Sequence, residues 1–185
     1  MYNIILAGVG GQGTVLASKI ISASALASGK CVIASETIGM AQRGGSVTSH
    51  IRISETQTVA SPLVGAGQAD IIIAFELSEG VRCFPYLKKG GKMVVSKGIM
   101  QPTTKYDYNT ELLENFLKEN VENLKLVDAM EVCQSLGSYQ VLNTVLLGSA
   151  LEYLEISNIE EGMKQKIKPQ FLELNNKALA GGKKL

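Results

Sequence analysis

An α/β fold is predicted, with helices on both faces of a mostly parallel, mixed sheet: a three-layer, Rossmann-like domain. Three features of the sequence predict it. Apolar runs of strand length at residues 2–7, 70–75 and 92–96 are of the kind that a sheet covered on both faces uses. Stretches of helical spacing alternate with these runs. The first run also turns into a helix through Gly8-Val9-Gly10-Gly11-Gln12-Gly13, a G-x-G-x-x-G spacing in strand–turn–helix context.

Composition limits the function classes. A chain of 185 residues fits one domain with a sizeable core, with no linker or repeat in residues 1–185. Net charge is +1 and 19% of residues are charged, which excludes an electrostatic nucleic-acid binder. Cys31, Cys83 and Cys133 are far apart and none lies in a C-x-x-C. That argues against a disulfide framework, a zinc knuckle or an iron–sulfur cluster held by this chain alone. The chain enters a strand without a basic leader, and no apolar run reaches membrane length, so a cytoplasmic protein with no membrane partner is expected.

The elements follow in order. Residues 14–28 are rich in Ala and Ser, with a narrow apolar stripe, and read as a helix that Gly29 stops. Residues 31–35 form a second strand ending at Glu36, which completes a βαβ unit with parallel strands. Residues 36–45, with three glycines, build no regular element. Residues 46–53 alternate: Val47, Ser49, Ile51 and Ile53 face one way, Ser46, Thr48, His50 and Arg52 the other. That pattern predicts a strand with one wet or interface face, antiparallel or at an edge, with His50 as a surface residue. Residues 55–68 connect to the strand at 70–75. Residues 77–87 read as a helix shortened by Pro85, and Gly90-Gly91 turns the chain into the strand at 92–96. After a loop at 97–109, Thr110 caps a helix to Asn120 with Leu112, Leu113, Phe116 and Leu117 inward. Residues 124–127 form a short strand. Capping-box spacings at Asp128–Glu131 and Ser157–Glu160 open two helices. Residues 141–154 form an apolar helix with Asn143 as its polar exception. Residues 170–179 form the last helix, and Gly181 to Lys184 fray.

Two segments make the candidate site. A strand that turns on glycines into a helix leaves unpaired N–H groups at the helix start, which attract anions. Gly8, Gly10, Gly11, Gln12 and Gly13 therefore contact a phosphate or, on the plainer reading, only pack a tight turn. Glu36, Gly39, Met40, Gln42, Arg43, Gly44 and Gly45 fall on the same carboxyl rim of the sheet, where open α/β sheets place their ligands. Met and Arg are enriched at protein interfaces, and the flanking glycines allow close backbone approach. No nucleophile, base pair of residues or metal set stands out.

Glu36 to Val47 (ETIGMAQRGGSV), Gly8 to Gly13 (GVGGQG) and Ser49-His50-Ile51-Arg52 together resemble the gamma subunit or gamma domain of 2-oxoacid:ferredoxin oxidoreductases. The Gly39-Met40-Ala41-Gln42-Arg43-Gly44-Gly45 form is most similar to the small beta subunit of the indolepyruvate enzymes. Ser61-Pro62-Leu63, Ala69-Asp70, Phe75-Glu76, Glu79, Gly90-Gly91, Leu136-Gly137, Asn143 and Leu147-Gly148 also fit, whereas the last forty or so residues match loosely. The resemblance implies an oxidative decarboxylation in which a 2-oxoacid and coenzyme A give an acyl-CoA and carbon dioxide, with electrons passed to ferredoxin. Thiamine diphosphate, magnesium and iron–sulfur clusters would sit on a large partner subunit, since this chain has neither the cysteine series nor a G-D-G thiamine motif. This chain would then be a non-catalytic subunit, inactive alone, with the 39–45 loop near the partner's thiamine site. A homodimer of the isolated chain stays open. So do two other classes: a stand-alone NAD enzyme, with Glu36 as its ribose-binding acid, and a purely structural or regulatory subunit.

Overall fold

A computed structural model describes residues 1–39, 44–56, 61–99 and 109–185. The strands are β1 (Tyr2–Val9), β2 (Cys31–Ile38), β3 (Ser46–Ser54), β4 (Ala69–Ala74), β5 (Leu87–Ser96) and β6 (Asn123–Val127). They form one sheet in the order β2-β3-β1-β4-β5-β6. β1, β4, β5 and β6 are mutually parallel, and β3 runs antiparallel to both its neighbours, β1 and β2. The helices are α1 (Thr14–Ala27), α2 (Leu77–Cys83), α3 (Thr110–Asn120), α4 (Ala129–Ser135), α5 (Leu142–Ala150), α6 (Ile159–Lys166) and α7 (Pro169–Gly182). Among the described residues no helix is long and apolar enough to cross a membrane.

Alternation along the strands assigns the layers. Ile4, Leu6, Ile71, Ile73 and Val94 face α1 and the α4–α7 group in one core, while Ile5, Ala7, Ile72, Met93 and Val95 face α2 and α3 in the other. The three-layer, mixed α/β architecture is the expected one.

Several expectations are corrected. β1 and β2 point the same way but are not neighbours, because β3 is inserted between them. β2 also runs on past Glu36 to Ile38. β3 is no edge strand and its polar side is not wet: Thr48 and His50 are buried. The segment following Ser61 covers that side, and the polar groups bond inside. The Val64 N–H donates to His50 Nδ1 at 3.2 Å, and Arg52 Nε donates to Asn3 Oδ1 at 3.1 Å. His50 is therefore an interior residue, stacked edge-on against Tyr86. Helix α2, shortened near Pro85 as expected, ends at Cys83 and passes into a 3-10 turn at Phe84–Tyr86, but β5 starts at Leu87, so Gly90-Gly91 lie within the strand and not in a turn ahead of it. The apolar helix expected over 141–154 is a 3-10 turn at Tyr139–Val141 followed by α5. Asn109, not Thr110, caps α3, and of the four residues expected inward only Leu117 is fully buried, with Leu112 and Phe116 exposed. Asn158, in the left-handed conformation, caps α6 without a side-chain bond, and the Ser157 hydroxyl pairs with Ser28 instead. The expected frayed tail is helix: α7 continues to Gly182, which is buried against α5.

Candidate functional site

The turn after β1 is built by its own side chains and by glycine geometry. Gln12 folds back so that its Oε1 accepts the Val9 N–H at 2.9 Å, and the Gln12 N–H donates to the Val9 carbonyl at 3.1 Å. Gly11 and Gly13 have φ of 104° and 81°, which side chains rarely adopt. At Gly8 a Cβ would lie 2.7 Å from Gln12 Oε1 and 3.0 Å from Phe75 Cβ, so the strand needs glycine for close approach. Asn143, the polar exception of the apolar helix, is buried against Gly13, within 3.5 Å of its carbonyl.

This geometry leaves donors unpaired. Among the described residues, the N–H groups of Gly11, Gly13, Thr14, Val15 and Leu16 have no hydrogen-bond partner. No acidic residue lies in the first turn of α1. Beside these groups is a hollow of about 440 Å³ that includes Lys19, an exposed cation. Helix-start N–H groups with a nearby ammonium suit an anion. On the other side of Gly11 lies a second cleft of about 350 Å³, between Gln12, Phe75, Ser96, Met130 and Tyr139. It opens outside the carboxyl ends of β1, β4 and β5. α1 and α2 leave β1 and β4 to opposite faces there, which is the switch point where open sheets bind ligands.

The rim loop adjoins the same turn. The Gly10 N–H donates to the Gly45 carbonyl at 2.8 Å, and the Gly39 N–H to the Ser46 carbonyl at 2.9 Å. Gly45, preceded by Gly44 at φ 75°, is thus brought beside Gly10, whereas Gly39 lies across β3 from the turn, at the end of the β2–β3 ladder. Met40, Gln42 and Arg43 lie outside the described residues. Glu36 is not at the rim: it pairs with Ser49, which pairs with Leu6, so it sits back from Gly8 on the exposed outer edge.

One group of residues went unread in the sequence. Glu79, buried on α2, accepts from the Ser46 hydroxyl at 2.8 Å and from Arg82 Nη2 at 2.5 Å. Arg82 also reaches Ser46 and Thr48. Its bond to Glu79 raises the guanidinium pKa further above its ordinary value. This cluster ties α2 to the first residue after Gly45, and so supports the strand that holds Gly10. In the sequence Glu79 and Arg82 show only helical spacing, because their partner Ser46 is remote. Glu76 is occupied as the cap of α2, its carboxylate accepting the Glu79 N–H at 2.9 Å.

His50, Cys83 and Cys133 are buried. Burial lowers the pKa of His50 and pushes those of Cys83 and Cys133 up, the last to about 11, so the two thiols stay protonated at neutral pH. Among the described residues no three His, Cys, Asp or Glu side chains converge on a metal position.

Comparison with known proteins agrees with the fold and extends it. The family model for pyruvate ferredoxin/flavodoxin oxidoreductase matches residues 3–185. Indolepyruvate oxidoreductase subunit IorB of Archaeoglobus fulgidus is 35% identical over 97% of this chain and 92% of its own length. The protein of the same name from Methanothermobacter thermautotrophicus is 31% identical over 98% and 95%. The crystal structure of a keto/oxoacid ferredoxin oxidoreductase gamma subunit from Geobacter sulfurreducens superposes with a TM-score of 0.71, at 25% identity, over 98% of this chain and 96% of that one. The chain therefore belongs to the pyruvate ferredoxin/flavodoxin oxidoreductase family.

Proposed function

We propose that this chain is the small, gamma-type subunit of a cytoplasmic 2-oxoacid:ferredoxin oxidoreductase of the indolepyruvate kind, and that residues 1–185 act as one such domain. The observation that carries the reading is the end-to-end match, at 35% identity, to an indolepyruvate oxidoreductase small subunit. The chain's share is to bind and position. Thiamine diphosphate, magnesium and the clusters that pass electrons to ferredoxin belong to a large partner subunit. The Gly8–Gly13 turn, with its unpaired N–H groups and Lys19, offers an anion contact, for which the phosphates of coenzyme A are the fitting chemistry. The loop carrying Gly39, Met40, Gln42, Arg43, Gly44 and Gly45 meets the large subunit beside it.

The dinucleotide alternative loses its acid. In that fingerprint the ribose-binding carboxylate ends the strand next to β1. Here β3 occupies that place, and Glu36 lies two strand spacings away, roughly 9.6 Å, on the outer edge.

The test is reconstitution. The purified chain is expected to show neither 2-oxoacid oxidation nor iron–sulfur absorbance, and to confer 2-oxoacid-dependent ferredoxin reduction when combined with its large subunit. A brown, active chain alone, or a large subunit indifferent to its presence, overturns the reading. Thermal shift with pyrophosphate, coenzyme A and NAD tests the turn: a coenzyme A or pyrophosphate shift supports the anion contact, and a shift with NAD alone favours the dinucleotide class. Arg43→Ala separates interface from internal support. The interface reading expects unchanged melting of the chain and weaker assembly or activity of the complex.

A further inference from the structure

The outer edge of β2 carries main-chain groups that no strand of the sheet pairs. The Gly39 N–H bonds the Ser46 carbonyl, so Gly39 and Ser46 form a hydrogen-bonded pair at the end of the β2–β3 ladder. In an antiparallel ladder, residues bonded to one neighbour alternate with residues whose N–H and C=O point the other way. The register runs without a break from Cys31↔Ser54 to Ile38↔Val47. Odd-numbered residues of β2 therefore bond β3, while Val32, Ala34 and Glu36 direct their N–H and C=O groups outward. Among the described residues no strand takes them up.

Exposed edges template further strands, and proteins normally blunt them with lysine, proline, a bulge or shortness. β2 has none of these: it is eight residues long, regular, without Lys or Pro, and Cys31, Ala34, Glu36 and Thr37 are exposed. The opposite edge strand, β6, is five residues long and carries Lys125.

We propose that β2 pairs antiparallel with β2 of a second copy, joining two sheets across a two-fold axis at Ile33. The strand is self-complementary in that register. Ile33 meets Ile33 of the second copy in a non-hydrogen-bonded pair, where side chains approach most closely. Val32 lies opposite Ala34 with their outward groups bonded. Lys30, just ahead of the strand and bonded in its own chain to Glu55 at 2.9 Å, falls opposite Glu36 of the second copy, so its ammonium lies between two carboxylates, and symmetry repeats that arrangement. Registers centred on Ala34 or Ser35 bring no opposite charges face to face. A net charge of +1 adds no general repulsion.

The experiment uses the purified full chain. Light scattering behind size exclusion is expected to give twice the 19.8 kDa chain mass. Ala34→Pro removes an outward N–H without breaking a bond to β3, and is expected to give a monomer with an unchanged circular dichroism spectrum. Ser35→Cys fixes the register. Its thiol comes opposite the exposed Cys31 of the second copy, and diamide oxidation is expected to give a covalent dimer on a non-reducing gel. Cys31→Ser/Ser35→Cys is expected to give none. Within one chain, positions 31 and 35 are about 13 Å apart, too far for a disulfide. A monomeric wild type, a dimer that survives Ala34→Pro in a folded chain, or an uncross-linked Ser35→Cys overturns the proposal. Should Ala34→Pro fail to fold, the cross-link decides.

Discussion

Gly182→Ala tests whether the end of α7 is docked or frayed. A Cβ at Gly182 would lie 2.0 Å from the Val145 carbonyl oxygen, 2.9 Å from the Val145 carbonyl carbon and 3.0 Å from the Ser149 nitrogen. All three are backbone atoms of α5 and cannot rotate aside. Ordinary carbon contacts begin near 3.5 Å, so α5 and α7 must separate by roughly 1 Å or more. They part where Leu179, Ala178 and Val145 are fully packed. Overpacking of this kind costs about 1–3 kcal/mol, and with rigid partners the upper end applies. Alanine returns up to about 1 kcal/mol in helix propensity, leaving a net loss of about 2 kcal/mol. For a chain of this length each kcal/mol moves Tm by about 2–4 °C, so the variant should melt about 4–8 °C below wild type. Gly181→Ala is the matched control: its Cβ meets only the Val132 Cγ1 methyl at 2.7 Å, a side-chain atom that can shift. Its change should be clearly the smaller. Calorimetry of the two variants and wild type at equal concentration decides. A Gly182→Ala chain that melts at or above wild type would refute the docking and restore the frayed tail.

Three further outcomes are expected. Arg82→Met leaves the buried Glu79 carboxylate without its guanidinium and should lower stability by about 1–3 kcal/mol in denaturant titration, with Arg82→Lys between it and wild type; an unchanged midpoint removes the support assigned to this cluster. His50 is buried neutral, with its pKa held below 6.5, so the unfolded chain takes up the proton first. Its contribution should be complete above about pH 6.5 and fall as pH drops through that value toward the folded pKa, and His50→Asn, which keeps an acceptor for the Val64 N–H, should flatten the fall. Parallel Tm–pH curves for the two proteins would show that His50 is not its source. Gly11→Ala meets no neighbour within 4 Å but forces φ 104° on a residue with a Cβ, so it should cost about 1–2 kcal/mol from backbone strain alone; a neutral result would mean that the turn relaxes.

The sequence was most informative where one residue pattern has one physical solution. Ile71-Ile72-Ile73 can only be a strand covered on both faces, and Asp128 with Glu131 opens a helix in the sequence and in the fold. The glycines of the first turn are likewise local, since Gly11 and Gly13 answer to their own φ. The family resemblance rested on the same kind of contiguous stretches.

Polar burial and helix docking were not legible in this way. Thr48, His50 and Arg52 have the alternation of a wet face, yet Thr48 and His50 are buried and Arg52 half-buried, because Arg82, Val64, Tyr86 and Asn3 arrive from elsewhere to cover and bond them. Glu79, Arg82 and Ser46 are meaningful only as a set, and their members lie on different elements. Gly148, Gly162 and Gly182 resemble helix weaknesses until the backbones they admit are in place. Sequence by itself determined that six strands alternate with helices in layers and that the first turn needs glycine, because backbone periodicity and left-handed φ are properties of neighbouring residues. Only the tertiary structure decided that β3 enters between β1 and β2, that Glu36 is carried from the rim to an outer edge, and that the tail is helix. Those outcomes depend on which distant surfaces meet, and chain-local energies of about 1 kcal/mol per residue are readily overridden by such contacts.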